Sequence, residues 1–159
     1  MYSSLTEGWL LNSSVTIYLV EHLPDEVWSA RMPGYNQKTV RMVGAHLHNC
    51  RGMWVKMLGE RFGVSAAPKV DRHRVSRSEL AKALVHSGES MAQLLEASLG
   101  AGGKMTGFSP PDVHFFAAYI ATHEGHHRGQ MAMAARQLGH PLSNEVMAGM
   151  WQWAKRRSR

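Results

Sequence analysis

His123 and His127 stand four positions apart, one helical turn, in a stretch that reads as helix. Imidazoles at i and i+4 project from the same side of a helix, and that spacing has the reach to hold one metal ion. The apolar face of this helix reads Val113, Phe116, Ile120, then positions 123, 127, 131, 134 and Leu138. Two histidines therefore fall where apolar side chains belong. Burying them costs stability unless the ring nitrogens find partners, and one cation satisfies both rings at once. The chain carries ten histidines in 159 residues, a composition that points toward metal ligation.

Two histidines alone make a weak site. The second helix offers His46 and His48, two positions apart, so only one of them faces a given point. His46 lies beside Val43 and Cys50, next to the apolar stripe, and is the choice for a third ligand. His48 lies nearer Arg41, Gly44 and Gly52 and reads as exposed or as a local hydrogen-bond group. His126 is about 100° round the helix from His127, off the stripe. His22, His73, His86, His114 and His140 read as surface or loop residues.

Three neutral imidazoles leave a divalent ion its full charge and at least one open position. Water there becomes hydroxide near neutral pH, which allows hydrolysis. A thiol becomes thiolate, which allows S-transfer. Imidazole suits zinc, nickel, copper and iron, with zinc or nickel foremost. Glu124 is a weak candidate for a proton acceptor and otherwise reads as a solvated helix residue. Gln130, seven positions from His123 on the same face, would orient a ligand or pack. Arg128 reads as an outward-facing charge. Trp54, Tyr119 and the methionines read as core, and Cys50 as a small buried apolar residue.

The same stretch, His123-Glu124-Gly125-His126-His127, also matches H-E-x-x-H, the zinc-protease signature in which Glu124 would be the general base. Glu145 lies 18 positions beyond His127, where some such enzymes place a third ligand. Gly139 and Pro141 intervene, however, and no sheet is expected that would hold an extended peptide. The protease reading is set aside.

The elements that must position these residues are helices. No run of alternating β-branched residues suggests sheet. A first helix is expected from about residue 6 to 23, with Trp9, Leu10, Ile17 and Val20 as its stripe. A second runs from about 38 to 58, with Val40, Val43, Leu47, Cys50, Trp54 and Met57 on one face. Residues 64–75 form a crossing connection. A third helix starts at Ser76, where Ser76 and Glu79 have capping-box spacing, and buries Leu80, Leu84, Met91, Leu94, Leu95 and Leu99. The fourth starts at Ser109-Pro110-Pro111-Asp112, with serine as the cap, and stops at Gly139. A short fifth runs from about 143 to 155, with Val146, Met147, Met150 and Trp151 on one side. Four long amphipathic helices predict an all-α four-helix bundle with a long connection between helices 2 and 3 and a short extra C-terminal helix.

Composition agrees with one globular domain over 1–159: 44% hydrophobic and 19% charged. The net charge is +6, but Lys155, Arg156, Arg157 and Arg159 supply four of those positives. The high pI is thus largely the property of a solvated, frayed tail at about 155–159, and a nucleic-acid face is not expected. No apolar run is long enough to span a membrane, and the first residues lack the basic start of a secretory signal. One cysteine allows no internal disulfide and fits a reducing, cytoplasmic setting.

The string His123-Glu-Gly-His-His127-Arg128-Gly129-Gln130 resembles the H-x-x-x-H-R-G-Q signature of the DinB/YfiT-like superfamily. The segment from Ala45 to Trp54, around His46, is similar to that superfamily's second-helix histidine with its tryptophan further along. Leu138-Gly139-His140-Pro141 and the ending Gly149-Met-Trp151-Gln-Trp153 continue the likeness. The resemblance implies a four-helix bundle with a long connection between helices 2 and 3. It also implies one divalent metal on three histidines, which carry over to His46, His123 and His127. Related branches include thiol-dependent S-transferases and a thiol-dependent maleylpyruvate isomerase, so a low-molecular-weight thiol, a small-molecule substrate and a homodimer are implied. Two functions follow: a metal-dependent transferase or hydrolase, or a non-catalytic bundle with a structural, sensing or stress-related metal.

Overall fold

A computed structural model describes residues 1–156. The chain forms α1 (Ser4–His22), α2 (Asp25–Trp28), α3 (Val40–Leu58), a short 3-10 turn (Glu60–Phe62), α4 (Arg77–Gly100), α5 (Val113–Gln137), α6 (Asn144–Gly149) and α7 (Trp153–Arg156). The four long helices are the expected bundle, and no strand occurs among the described residues. No helix among the described residues is long and apolar enough to cross a membrane.

Local chemistry sets the helix starts. The Ser3 hydroxyl accepts from Thr6 N–H at the start of α1, and Thr39 does the same for Met42 in α3. Ser76 and Glu79 form the full capping box that begins α4. The fourth long helix starts later than expected. Asp112, not Ser109, is its cap, accepting from the N–H groups of His114 and Phe115. The carbonyl of Pro111 is taken by Met105 N–H, which holds the prolines in the preceding loop. The short α2 was not expected. Its Val27 and Trp28 plug the open end between α1 and α3, and Trp28 donates its indole N–H to the Val75 carbonyl.

The expected fifth helix breaks into α6 and α7. Gly149 lies so close to the Tyr18 ring that a Cβ there would stand 2.2 Å from the hydroxyl oxygen. Arg156 stacks 3.9 Å over the same ring and donates to the Gly149 carbonyl, so the chain turns back around Tyr18. Arg156 is therefore not part of a solvated tail. Arg157 and Arg159 lie outside the described residues. Trp151, assigned to the packed side, is 77% exposed because it falls in this turn.

Contacts fix the helix order round the bundle. Glu96 near the end of α4 accepts from Ser3 and Thr6 at the start of α1, so α1 and α4 are antiparallel neighbours. Gly44 faces Leu80 and Arg51 faces Leu84, so α3 and α4 run parallel. Parallel neighbours require a chain that travels back along the bundle, and residues 59–76 do so. His48 and Asn49 pin that crossing to α3 through the backbone of Pro68 and Val70. Finally, α5 packs antiparallel to α3 and parallel to α1, closing the ring.

The interior is not one apolar core. One cluster, with Leu19, Leu47, Leu80, Leu84 and Met131, fills one end. A second, with Trp9, Leu58, Met91, Leu94, Phe116 and Ile120, fills the other. Each such side chain contributes about 1.5–3 kcal/mol on burial. Between them lies a buried polar layer: Asn12, Ser13 and Thr16 from α1, His48 and Arg51 from α3, Ser87 from α4, and Glu124 and His127 from α5. Gly88 belongs to this level. A Cβ on it would meet Ser13 Oγ at 2.6 Å, so only glycine lets α1 and α4 approach there.

Candidate metal centre

Three ring nitrogens converge at one edge of the polar layer. His46 Nε2 lies 3.2 Å from His123 Nε2, and His127 Nε2 lies 3.2 Å from the same atom. The ligand atoms of the three residues all fall within 4.8 Å of one another. His46 comes from α3, and His123 and His127 from α5. His127 is buried, His123 half-buried and His46 exposed, so the cluster has an open side toward solvent.

The protonation pattern follows from the partners. Gln130 Oε1 sits 2.8 Å from His127 Nδ1. A carbonyl oxygen only accepts, so His127 carries its proton on Nδ1 and turns a lone pair on Nε2 toward the cluster. An outer hydrogen bond of this kind would orient the ring for a metal ion. His123 Nε2 faces two other ring nitrogens, while its Nδ1 is buried with no hydrogen-bond partner among the described residues. Burial is the main cause that holds all three imidazoles below the usual histidine range. The charge of His123 adds to it at His46, and that of His127 adds to it at His123. A neutral His123 has one ring proton and can donate it from Nε2 to only one of the two nitrogens it faces, so at least one pair of lone pairs stays opposed, and a cation between the rings would relieve that. The donor set fits a divalent ion of borderline character.

A family model described as the DinB family matches residues 1–147. The chain belongs to the DinB family. Neither the curated proteins nor the solved structures gave a match.

In this DinB-family protein the other expected residues fall as follows. Glu124 is not solvated: it is fully buried and lies outside the histidine cluster. Its Oε1 accepts from Arg51 Nε at 2.5 Å. Its Oε2 accepts from Arg51 Nη2 at 2.9 Å, Thr16 Oγ1 at 2.7 Å and Asn12 Nδ2 at 3.1 Å. One position from His123 is about 100° of rotation, which takes Glu124 into the interior. Glu145 sits exposed on α6, so the H-E-x-x-H arrangement is not assembled.

Arg128 is not an outward charge either. It donates to Thr16 Oγ1 at 2.8 Å and stands 3.6 Å from Glu124. His48 is buried rather than exposed. Its Nε2–H donates to the Pro68 carbonyl at 2.8 Å, and its Nδ1 accepts from Ser87 at 3.0 Å. Both its nitrogens are satisfied away from the cluster, and His126 is exposed. His22, His73, His86, His114 and His140 are exposed as expected.

Trp54 is half-buried and packs against the second core cluster, whereas Tyr119 lies at the surface. With Phe108 and Phe116 they form a ring-to-ring cluster with centroid spacings of 5.2 to 5.9 Å. Tyr119, 44% exposed, stacks toward His123 at 6.4 Å. An aromatic wall thus adjoins the cluster. Cys50, one turn from both His46 and Trp54, is half-buried, and burial raises its thiol pKa, with Glu124 adding to the effect.

Arg51 is the residue that reading the sequence missed. It is a fully buried guanidinium in the centre of the bundle. The signal was present. Leu47, Arg51 and Val55 are spaced four apart, so Arg51 interrupts the stripe of α3 as the histidines interrupt that of α5.

Proposed function

We propose that His46, His123 and His127 hold one divalent ion, zinc or nickel foremost, and that the protein is a metal-dependent enzyme for small molecules, acting by thiol S-transfer or hydrolysis. The observation that carries this reading is the convergence of three Nε2 atoms from two helices. A bound ion would supply Lewis acidity, lowering the pKa of a water or a low-molecular-weight thiol. The chain's own residues do the rest. Gln130 holds the His127 ring in the ligating tautomer. The aromatic wall of Trp54 and Tyr119 receives the apolar part of a substrate. Its position excludes water from one side of the reacting group.

A structural metal site closes with four protein ligands. No fourth histidine, cysteine or carboxylate joins this group among the described residues, and exposed His46 leaves the centre accessible. Both observations favour a catalytic ion over a purely structural one. The test is elemental analysis of tag-free protein beside the His123→Ala/His127→Ala double variant. About one equivalent in the wild type, absent from the variant, is expected. A wild type that holds no metal after incubation with zinc or nickel would remove the reading.

A further inference from the structure

We infer that the buried Arg51–Glu124 ion pair is a positioning device for the histidine site, fixing the relative roll and separation of α3 and α5. This rests on the metal reading above. His46 and Arg51 are on α3, five positions apart, and His123 and Glu124 are adjacent on α5. The two helices are therefore joined by two rungs. The outer rung is His46 to His123, 3.2 Å between ring nitrogens, at the solvent edge. The inner rung is the two-point contact of Arg51 with both oxygens of Glu124, at 2.5 and 2.9 Å. One rung leaves two helices free to roll about it. Two rungs at different angles round each helix do not.

The inner rung is also anchored to the remaining long helices. Arg51 Nη1 donates to the Leu84 carbonyl on α4 at 2.8 Å. Asn12 and Thr16 on α1 hold Glu124 Oε2, and Arg51 packs 5.0 Å from the Trp9 ring centroid. One ion pair therefore touches all four long helices at the level where the ligands converge. A planar guanidinium forked onto a carboxylate tolerates little change in angle, whereas an apolar contact tolerates sliding. Metal ligands must be held to about half an ångström and 10–20°. Arg51 and Glu124 touch no ligand atom of the cluster. They act through the helices that carry the ligands, so they are positioning residues and not catalytic ones.

The alternative is that the pair only stabilises the bundle. The variant Arg51→Met/Glu124→Leu separates the two roles. Replacing both members of a buried ion pair with apolar residues of similar volume is often neutral or stabilising. Here the replacement also takes the partners of Asn12, Thr16 and the Leu84 carbonyl, so the metal-free double variant is expected to melt cooperatively but below the wild-type temperature. Its zinc Kd, measured by chelator competition, is expected to weaken about 10- to 100-fold. The visible spectrum of its cobalt-loaded form is expected to change band intensity, reporting altered coordination geometry.

A folded double variant with wild-type zinc Kd and a superimposable cobalt spectrum would overturn the inference while leaving the metal site intact. A wild type that binds neither zinc nor cobalt would overturn both. If the double variant does not fold, Arg51→Lys decides. It keeps the charge but loses the fork, and it is expected to weaken zinc binding and alter the cobalt spectrum. No change in either measurement would refute the positioning role.

Discussion

The apolar ends of the bundle and the polar layer between them hold together by different means. At the ends, Leu94 or Leu84 contacts whatever apolar volume surrounds it, and many side chains of similar size would serve. In the layer the charged groups and His48 have named partners. Glu124 accepts from Arg51, Asn12 and Thr16, and His48 is bonded on both nitrogens. A loss at an end leaves a cavity. A loss in the layer leaves an unpaired polar group or charge, which costs more because nothing nearby replaces it. The difference bears on the candidate site: the three histidines proposed as ligands sit at the edge of the layer, where contacts do not slide.

The largest expected effect tests that contrast directly. Arg51→Ala removes one partner and strands the Glu124 carboxylate in the interior. It should cost about 3–5 kcal/mol in urea denaturation of metal-free protein. Leu94→Ala, fully buried at one end, should cost about 2–5 kcal/mol through its cavity and leave metal uptake unchanged. If Leu94→Ala weakened metal binding as much as Arg51→Ala, the ends and the layer would not differ in kind.

His46 and His48 sharpen the comparison within one helix turn. His46→Ala should abolish tight metal binding yet barely change the stability of the metal-free protein, because the ring is exposed. His48→Ala should do the reverse. It should retain the metal and lose about 1–3 kcal/mol, since Ser87 and the Pro68 carbonyl lose their partner. Metal titration and thermal melts of the two variants give four numbers. Parallel losses in both variants would show that the crossing connection and the site are not separable.

How much of this was legible in the sequence follows from the same division. Periodicity located the four long helices within a few residues, because the apolar ends impose it. The histidine pair was visible as polar residues on an apolar stripe. Arg51 interrupts its stripe in the same way yet went unread, and Glu124, which takes a buried position on α5, was read as a solvated residue or weak proton acceptor. On α3 the apolar but outward-facing Met57 and half-buried Trp54 pulled the apparent stripe round to positions 43, 47, 50, 54 and 57. The buried face is centred on Gly44, Leu47, His48, Arg51, Val55 and Leu58. On α1 the buried face includes Thr6, Asn12, Ser13 and Thr16, which hydropathy alone assigns to solvent. A polar layer reads as surface until its partners are known, and the partners that other elements supply lie 20 to 112 positions away in the chain.

Cys50 stands at the border of the two regimes, and the smallest expected effect concerns it. Burial raises its thiol pKa, and the Glu124 charge adds to that, against the smaller opposing influence of Trp54 and Arg51. The thiolate is the nucleophile, so at pH 8 the native thiol should react with iodoacetamide more slowly than in denatured protein. As pH rises past the ordinary thiol value the unfolded chain loses its proton first, so the native state is the more protonated and stability falls. That decline begins near the unfolded pKa, about 8.5, and levels off above the raised native value. Cys50→Ala should flatten this alkaline decline and leave stability at pH 7 within about 0.5–1.5 kcal/mol, the loss of one partly buried sulfur. Native Cys50 alkylating faster than the denatured thiol at pH 8 would mean that its thiolate is stabilised rather than opposed. The layer's carboxylate would then not govern its electrostatics, and the border between the polar layer and the aromatic wall would have to be redrawn around a reactive thiol one turn from His46.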